Sequence, residues 1–180
     1  MSMLHAMRHG AYWCSNGYDV LAVNARGAAN WPWMRAPGAN VMISLLTGEG
    51  REQCVDWEHR WAPLLLAQLR REIIHQQGSG QLEVLVRRVC RDPLARRIWE
   101  GTADVQPRAY GTTRPMIMPP WGAEPVEITV SAVTPVVRPD LRMVCAVPAP
   151  GVTPFPALSR DPRPGRGSGS APRPGRGPSR

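Results

Sequence analysis

Residues 54–61 read CVDWEHRW and open the longest helical pattern in the chain. Asp56 is suited to cap this helix, because its carboxylate can accept hydrogen bonds from the free backbone N–H groups of the first turn. Pro63 lacks a backbone donor, so a kink or break is expected there. The pattern predicts a buried helix that runs to about Gln76, because large apolar residues recur at spacings of three and four. These residues are Trp57, Trp61, Leu64, Leu65, Leu69 and Ile73.

The length and composition of the chain are those of a single globular domain. It has 180 residues, of which 43% are hydrophobic, enough for a core. No apolar run approaches the roughly 18 residues of a membrane span, and residues 1–17 lack the apolar segment of a secretory signal. We therefore expect a cytoplasmic protein without a membrane span. The four cysteines are far apart and form no Cys-x-x-Cys, which favours small buried hydrophobes over zinc ligands or disulfides.

The net charge of +8 is unevenly distributed. Residues 159–180 carry six Arg and one Asp, whereas residues 1–158 are nearly neutral at +3. Every basic residue is Arg, and with abundant Ala, Gly and Pro this indicates a GC-rich genome such as that of an actinobacterium. The hexapeptide PRPGRG occurs at 162–167 and again at 172–177. This composition has nothing to bury, which predicts a disordered tail over residues 152–180.

The remaining patterns predict an α+β domain with a mostly antiparallel sheet. Residues 126–133 alternate between apolar and polar side chains, which is typical of a half-exposed antiparallel strand. Asp92 followed by Pro93 is a strong helix start. The predicted elements are a strand at 18–24, a loop at 30–40, a segment at 41–46 that fits helix or strand, helices at 81–91 and 93–100, and strands at 105–110, 114–118, 126–133 and 141–147.

The ordered segments resemble the MmyB-like ligand-binding domain of actinobacterial transcription regulators of the XRE type. The resemblance covers about residues 18–151 and implies a PAS-like fold with helices inserted after the first strand, preceded by an N-terminal extension at 1–17. Such regulators usually carry a helix-turn-helix domain ahead of this one, and 17 residues are too few to form it. The matching segments are 18–24, 45–47, Val-Asp-Trp-Glu at 55–58, 69–70, 97–99 with 104–105, 111–122 with a basic residue at Arg114, and 144–151.

The resemblance implies that the domain senses a small, fatty-acid-like ligand. No cofactor is expected. Such a site requires an apolar cavity and one or two polar groups for the head group. Arg114 and Arg108 are the candidates to bind a carboxylate with two hydrogen bonds; the alternative is a solvated Arg at a strand edge. The candidate cavity residues, each of which could instead simply fill the core, are Trp57, Trp61, Leu65, Trp99, Met116, Met118, Ile128, Val130 and Met143.

Catalytic and metal-binding patterns are weak in this chain. Residues 56–59 hold an Asp, a Glu and a His, but a helix cap, the helix dipole and a surface His account for them. No Ser–His–Asp order and no Gly-rich phosphate loop is present. His5, His9 and Cys14 are the candidate metal ligands, in a segment expected to be mobile. The sequence therefore predicts neither an enzyme nor a metal site.

The leading interpretation is a sensing module of a transcription regulator that binds a small apolar ligand and acts through a protein partner with the DNA-binding function. A second interpretation is a nucleic-acid-associated protein whose Arg-rich tail contacts phosphates weakly and without sequence preference. The alternative for the tail is a solubilising extension or a result of base composition. A third interpretation is the remnant of a full helix-turn-helix regulator.

Overall fold

A five-stranded antiparallel sheet organises the residues that the computed structural model describes, 2–76, 80–101 and 111–151. The strand order is β2-β1-β5-β4-β3, and every neighbouring pair is antiparallel. This confirms the predicted α+β class with a PAS-like sheet. The strands are β1 (Gly10–Ser15), β2 (Val20–Val23), β3 (Thr113–Ile117), β4 (Pro125–Val133) and β5 (Leu141–Pro148).

The helices follow β2 in the chain, except for a short one at the N-terminus. Those after β2 precede β3, which confirms the expected insertion of helices into the sheet. None of the described helices is both long and apolar enough to cross a membrane. The helices are α1 (Ser2–Ala6), α2 (Ala25–Asn30), α3 (Val41–Thr47), α4 (Ala62–His75), α5 (Gly80–Val89) and α6 (Pro93–Gly101), with 3₁₀ turns at Pro32–Arg35, Glu49–Gln53 and Pro119–Trp121.

The two faces of the sheet are covered by different elements, because successive side chains of a strand point to opposite sides. On the inner face, Tyr12 of β1 and Val144 of β5 belong to the main core with residues of α3, α4 and α5. On the outer face, Ala11 and Cys145 pack with Leu4 of α1 in a smaller cluster. The sheet is therefore buried on both sides around β1 and β5.

The strand β1 lies within residues 1–17, where the sequence predicts an N-terminal extension. It pairs with β2 on one side and with β5 on the other. Its side chains are buried or half-buried on both faces, so the alternation that reveals a half-exposed strand is missing. The predicted first strand is shorter than expected, since Tyr18 has a left-handed φ of 67° and Asn24 caps α2.

The start of the long helix also differs from the prediction. Asp56 has a left-handed conformation (φ 52°, ψ 50°), and its side chain makes no capping hydrogen bond. A π-helical turn follows at Trp57–Trp61, and the regular helix α4 begins at Ala62. The break expected at Pro63 is confirmed, because Pro63 lies in the first turn of α4, where a missing N–H costs little.

The predicted start of α6 and the predictions for residues 30–46 can also be compared with the structure. The Asp92 cap is confirmed, since the Ala95 N–H donates to Asp92 Oδ1 at 2.8 Å. The ambiguous segment at 41–46 is helix α3, which Asn40 caps. The predicted loop at 30–40 contains a 3₁₀ turn and follows α2, which was not predicted. The strand expected at 105–110, with Arg108, and the tail at 152–180 lie outside the described residues.

Candidate ligand cavity

A cavity lies between the inner face of the sheet and the helices α3 and α4. The volume of the cavity is about 50 Å³; counted together with open solvent at its surface, the space between its atoms is about 570 Å³. Most of the lining side chains are aliphatic, aromatic or methionine, and Arg114 and Gln68 contribute a charge and an amide. A concave apolar site with a few polar groups is the usual setting for a small molecule.

Six of the ten predicted site residues line this cavity. Their positions on α4 and on the inner faces of β3 and β4 bring them together, although they are far apart in sequence. Trp61 lies at the end of the π-helical turn, and its ring N–H donates to the Pro115 carbonyl at 3.1 Å, which fixes the ring against β3. The six are Trp61, Leu65, Arg114, Met116, Ile128 and Val130.

Trp57 is a predicted site residue that lies outside the cavity lining. Its ring N–H donates to the Leu45 carbonyl at 2.7 Å. The Arg51 guanidinium lies 3.8 Å above the ring centroid, a cation–π contact. Trp57 therefore joins the start of the long helix to α3.

The other three predicted residues outside the lining belong to different parts of the packing. Trp99 is half-buried on α6, with the Arg70 guanidinium 4.0 Å above its ring. Met118 is fully buried just beyond β3. Met143 lies opposite Trp13 in the β1–β5 pair, and Trp13 belongs to the outer cluster. The alternation of β5 thus places Met143 away from the cavity.

Arg114 brings a buried positive charge to the cavity wall. Arg114 is 3% exposed, and its guanidinium lies 4.4 Å from the centroid of the Trp61 ring. Burial raises the pKa of the nearby Cys54 thiol to about 12, although the charge of Arg114 acts in the opposite direction. The guanidinium therefore favours an anion in its surroundings, and its planar donors match a carboxylate.

A second polar group in the lining was missed by the sequence analysis. The Gln68 Nε2 donates to the Tyr18 hydroxyl at 3.2 Å, and these residues are 5% and 2% exposed. The Arg142 guanidinium lies 5.2 Å from the centroid of the Tyr18 ring and 2.8 Å from a Glu72 carboxylate oxygen. The hydroxyl and amide are thus held in a buried setting beside the cavity.

The segment 31–34, predicted as part of a loop, supplies one wall of the cavity. Trp31 packs edge-to-face on Tyr12, with the ring centroids 5.8 Å apart, and its N–H donates to the Met116 sulfur at 3.4 Å. The Trp33 N–H donates to Gln53 Oε1 at 2.9 Å. In the sequence, the density of aromatic and Met residues in this segment was the signal that could have indicated a cavity wall. The lining residues that were missed are Tyr12, Tyr18, Trp31, Trp33, Met34, Val41, Met42, Leu45, Gln68, Val144 and Ala146.

The acid–base residues at 56–59 lie on the surface rather than in the cavity. His59 Nδ1 contacts Asp56 Oδ1 at 2.8 Å, and both side chains are exposed. The hydrogen bond and the charge of Asp56 raise the pKa of His59. Glu58 pairs with Arg97 on α6 at 2.7 Å. Across the described part of the chain, no group of three or more His, Cys, Asp and Glu side chains is placed to hold a metal ion.

The PAS-like sheet and the cavity beneath it define a ligand-binding domain. Residues 1–155 match the family model of the MmyB-like transcription regulator ligand binding domain, and the chain belongs to this family. The match includes β1, in agreement with its place in the sheet. The chain is thus a ligand-binding domain of the transcription-regulator type, a class that is not typically enzymatic. No curated protein matches the chain in sequence.

Proposed function

We propose that this domain senses a small apolar molecule with a carboxylate, such as a fatty acid, and binds it in the cavity with the carboxylate at Arg114. The observation that supports the proposal most directly is the buried guanidinium in the wall of an otherwise apolar cavity. Leu65, Met116 and Ile128 would contact the hydrocarbon chain. The unbranched Met side chain re-packs readily, which suits a flexible ligand.

The two parts of such a ligand contribute in different ways. The hydrocarbon part gains roughly 25 cal/mol for each Å² of apolar surface that leaves water. A hydrogen bond to a charged group contributes about 1.5–3 kcal/mol. Because 1.4 kcal/mol corresponds to about tenfold in affinity, we expect an acid to bind at least tenfold more tightly than the alcohol of equal length. The charge therefore sets the selectivity and the apolar wall sets most of the affinity.

The domain would pass its signal to DNA through another protein. The family is one of transcription regulators, and we propose a protein partner that carries the DNA-binding function. A cytoplasmic location fits this role and also stays a proposal. Direct contact of the tail with nucleic acid remains the second interpretation, and it concerns residues outside the described part of the chain.

The test is a calorimetric titration of lipid-free protein with dodecanoate and, separately, with 1-dodecanol. Arg114→Met removes the charge and keeps an unbranched side chain. We expect at least tenfold weaker binding of dodecanoate and a change of less than twofold for dodecanol. Arg97→Met, on the exposed partner of Glu58, is the matched control and should leave both affinities unchanged. Equal dodecanoate affinity in the wild type and Arg114→Met would refute the role of Arg114.

A second variant tests whether the cavity is the site at all. Val130 is half-buried and lines the cavity, so Val130→Trp would fill part of the space. We expect the Val130→Trp protein to bind neither dodecanoate nor dodecanol. Circular dichroism checks that the variant is folded. Undiminished binding of both ligands to a folded Val130→Trp protein would place the site elsewhere.

A further inference from the structure

Four exposed Arg side chains lie at the corner between α5 and α6. Arg87 and Arg88 belong to the last turn of α5, Arg91 to the short connection and Arg96 to the first turn of α6. The Arg91 backbone N–H donates to the Arg88 carbonyl at 3.3 Å, and the Arg96 Nε–H donates to the Cys90 carbonyl at 3.0 Å. The four side chains thus start from adjoining turns and form a cluster, which we call the basic corner.

The acidic residues of these two helices neutralise only part of this charge. Glu83 lies 3.7 Å from Arg87 in an exposed ion pair. Asp92 pairs with Arg51 at 3.1 Å, and Glu100 is exposed near the end of α6. The corner therefore presents a net positive charge to solvent. Its members that form no ion pair with a described residue are Arg88, Arg91 and Arg96.

Helix stability explains only part of this arrangement. The helix dipole favours cations in the last turn, which accounts for Arg87 and Arg88 at the end of α5. Arg96 lies in the first turn of α6, where the dipole disfavours a cation. Arg88 and Arg91 lie one turn apart, and like charges at this spacing repel each other. An anion bound from outside would relieve both unfavourable terms.

From this placement we infer that the basic corner contacts the phosphate backbone of DNA, without sequence preference. The planar donors of a guanidinium match a phosphate. Side chains one helical turn apart are separated by about 5–6 Å, and a DNA strand carries one phosphate for about every 3.4 Å of helix axis, so long Arg side chains can reach neighbouring phosphates. The family is one of transcription regulators, which brings the domain close to DNA. No member of the corner lines the cavity, so the inference is independent of the proposed ligand.

The experiment measures binding of the full chain to a fluorescein-labelled DNA duplex of mixed sequence by anisotropy, over a series of NaCl concentrations. Each neutralised phosphate contributes about 0.9 to the slope of log K against log salt. For Arg88→Gln/Arg91→Gln we therefore expect the slope to fall by about two and the affinity at low salt to fall about tenfold or more. The matched control is Arg8→Gln/Arg35→Gln, which removes the same charge from two exposed residues elsewhere. It should leave the slope and the affinity nearly unchanged.

The Arg-rich tail is separated from the basic corner by Arg163→Gln/Arg166→Gln, again in the full chain. If this variant loses affinity while Arg88→Gln/Arg91→Gln does not, DNA is bound by the tail and the inference is overturned. The same holds if the wild type binds no duplex at low salt, or if the two control substitutions weaken binding as much as those in the corner. Equally tight binding of poly-glutamate would assign the corner to an acidic protein instead of DNA. Arg91→Gln alone, expected to lower the slope by about one, gives an independent check.

Discussion

Asn24 joins three elements of the N-terminal half through one buried side chain. The residue is 3% exposed. Its Oδ1 accepts from the backbone N–H groups of Ala11 at 3.1 Å and Gly27 at 2.7 Å. Its Nδ2 donates to the carbonyls of His9 at 2.9 Å and Leu4 at 3.3 Å. One amide thus caps α2, completes the end of β1 and holds the chain that leaves α1.

Replacing Asn24 with Ala removes all of these bonds and leaves their partners inside the protein. Loss of a helix cap costs about 1 kcal/mol. The Ala11 N–H and the His9 carbonyl then lack their Asn24 partner, and each buried group left unsatisfied costs about 1–3 kcal/mol. The longer bond to Leu4 adds little. Because the His9 contact is only part-buried, we take the lower end of these ranges and expect the free energy of unfolding to fall by about 3 kcal/mol.

Urea denaturation followed by tryptophan fluorescence measures this loss. The matched control is Asp92→Ala, because Asp92 also caps a helix, α6, but is only half-buried. There the Ala95 N–H contact of 2.8 Å and a partly exposed ion pair with Arg51 are lost. We expect about 1 kcal/mol for the control, since exposed pairs contribute little. Hydrogen exchange of the Ala11 amide should also accelerate in Asn24→Ala.

The comparison of the two variants decides whether Asn24 contributes more to stability than a helix cap does. If Asn24→Ala loses no more stability than Asp92→Ala, the buried amide acts only as a helix cap. The links to α1 and β1 would then contribute nothing measurable. A large loss of stability with an unchanged exchange rate at Ala11 would place the effect elsewhere in the structure.

The remaining predictions concern titratable groups. Since Asp56 raises the pKa of His59, their contact stabilises the fold fully below pH 6.5 or so, and this stabilisation is lost as the pH rises through the raised pKa. NMR titration of the ring should show a lower pKa in Asp56→Asn, and an equal pKa would refute the contact. Burial raises the pKa of Cys14 to about 11 and that of Cys54 to about 12, so alkylation of the native protein near pH 8 should modify the half-buried Cys90 first. Faster modification of Cys54, mapped by mass spectrometry, would contradict the packing.

The elements that the sequence predicted well are those with local signals. The alternation at 126–133 gives β4, and the Asp92 cap marks the start of α6. The apolar stripe of the long helix places Trp61 and Leu65 in the interior. These signals are local because a cap and a periodic pattern depend on residues within a few positions of each other.

The positions that the sequence predicted poorly depend on contacts between distant segments. β1 is covered on both faces, and this hides its alternation. Asp56 takes a left-handed conformation and contacts His59 instead of capping the helix. Trp31 follows a helix that was not predicted, and its ring reaches Met116 across 85 positions of sequence.

The sequence by itself determined the class of the domain, the presence of an amphipathic long helix and the resemblance to MmyB-like domains, because each depends on the order and periodicity of residues along the chain. Only the tertiary structure decided which residues face the cavity. Trp57 and Trp61 lie on the same predicted stripe, yet Trp57 packs against Leu45 and Trp61 lines the cavity. The difference arises because the position of the sheet, not the spacing along the helix, determines what each side chain meets.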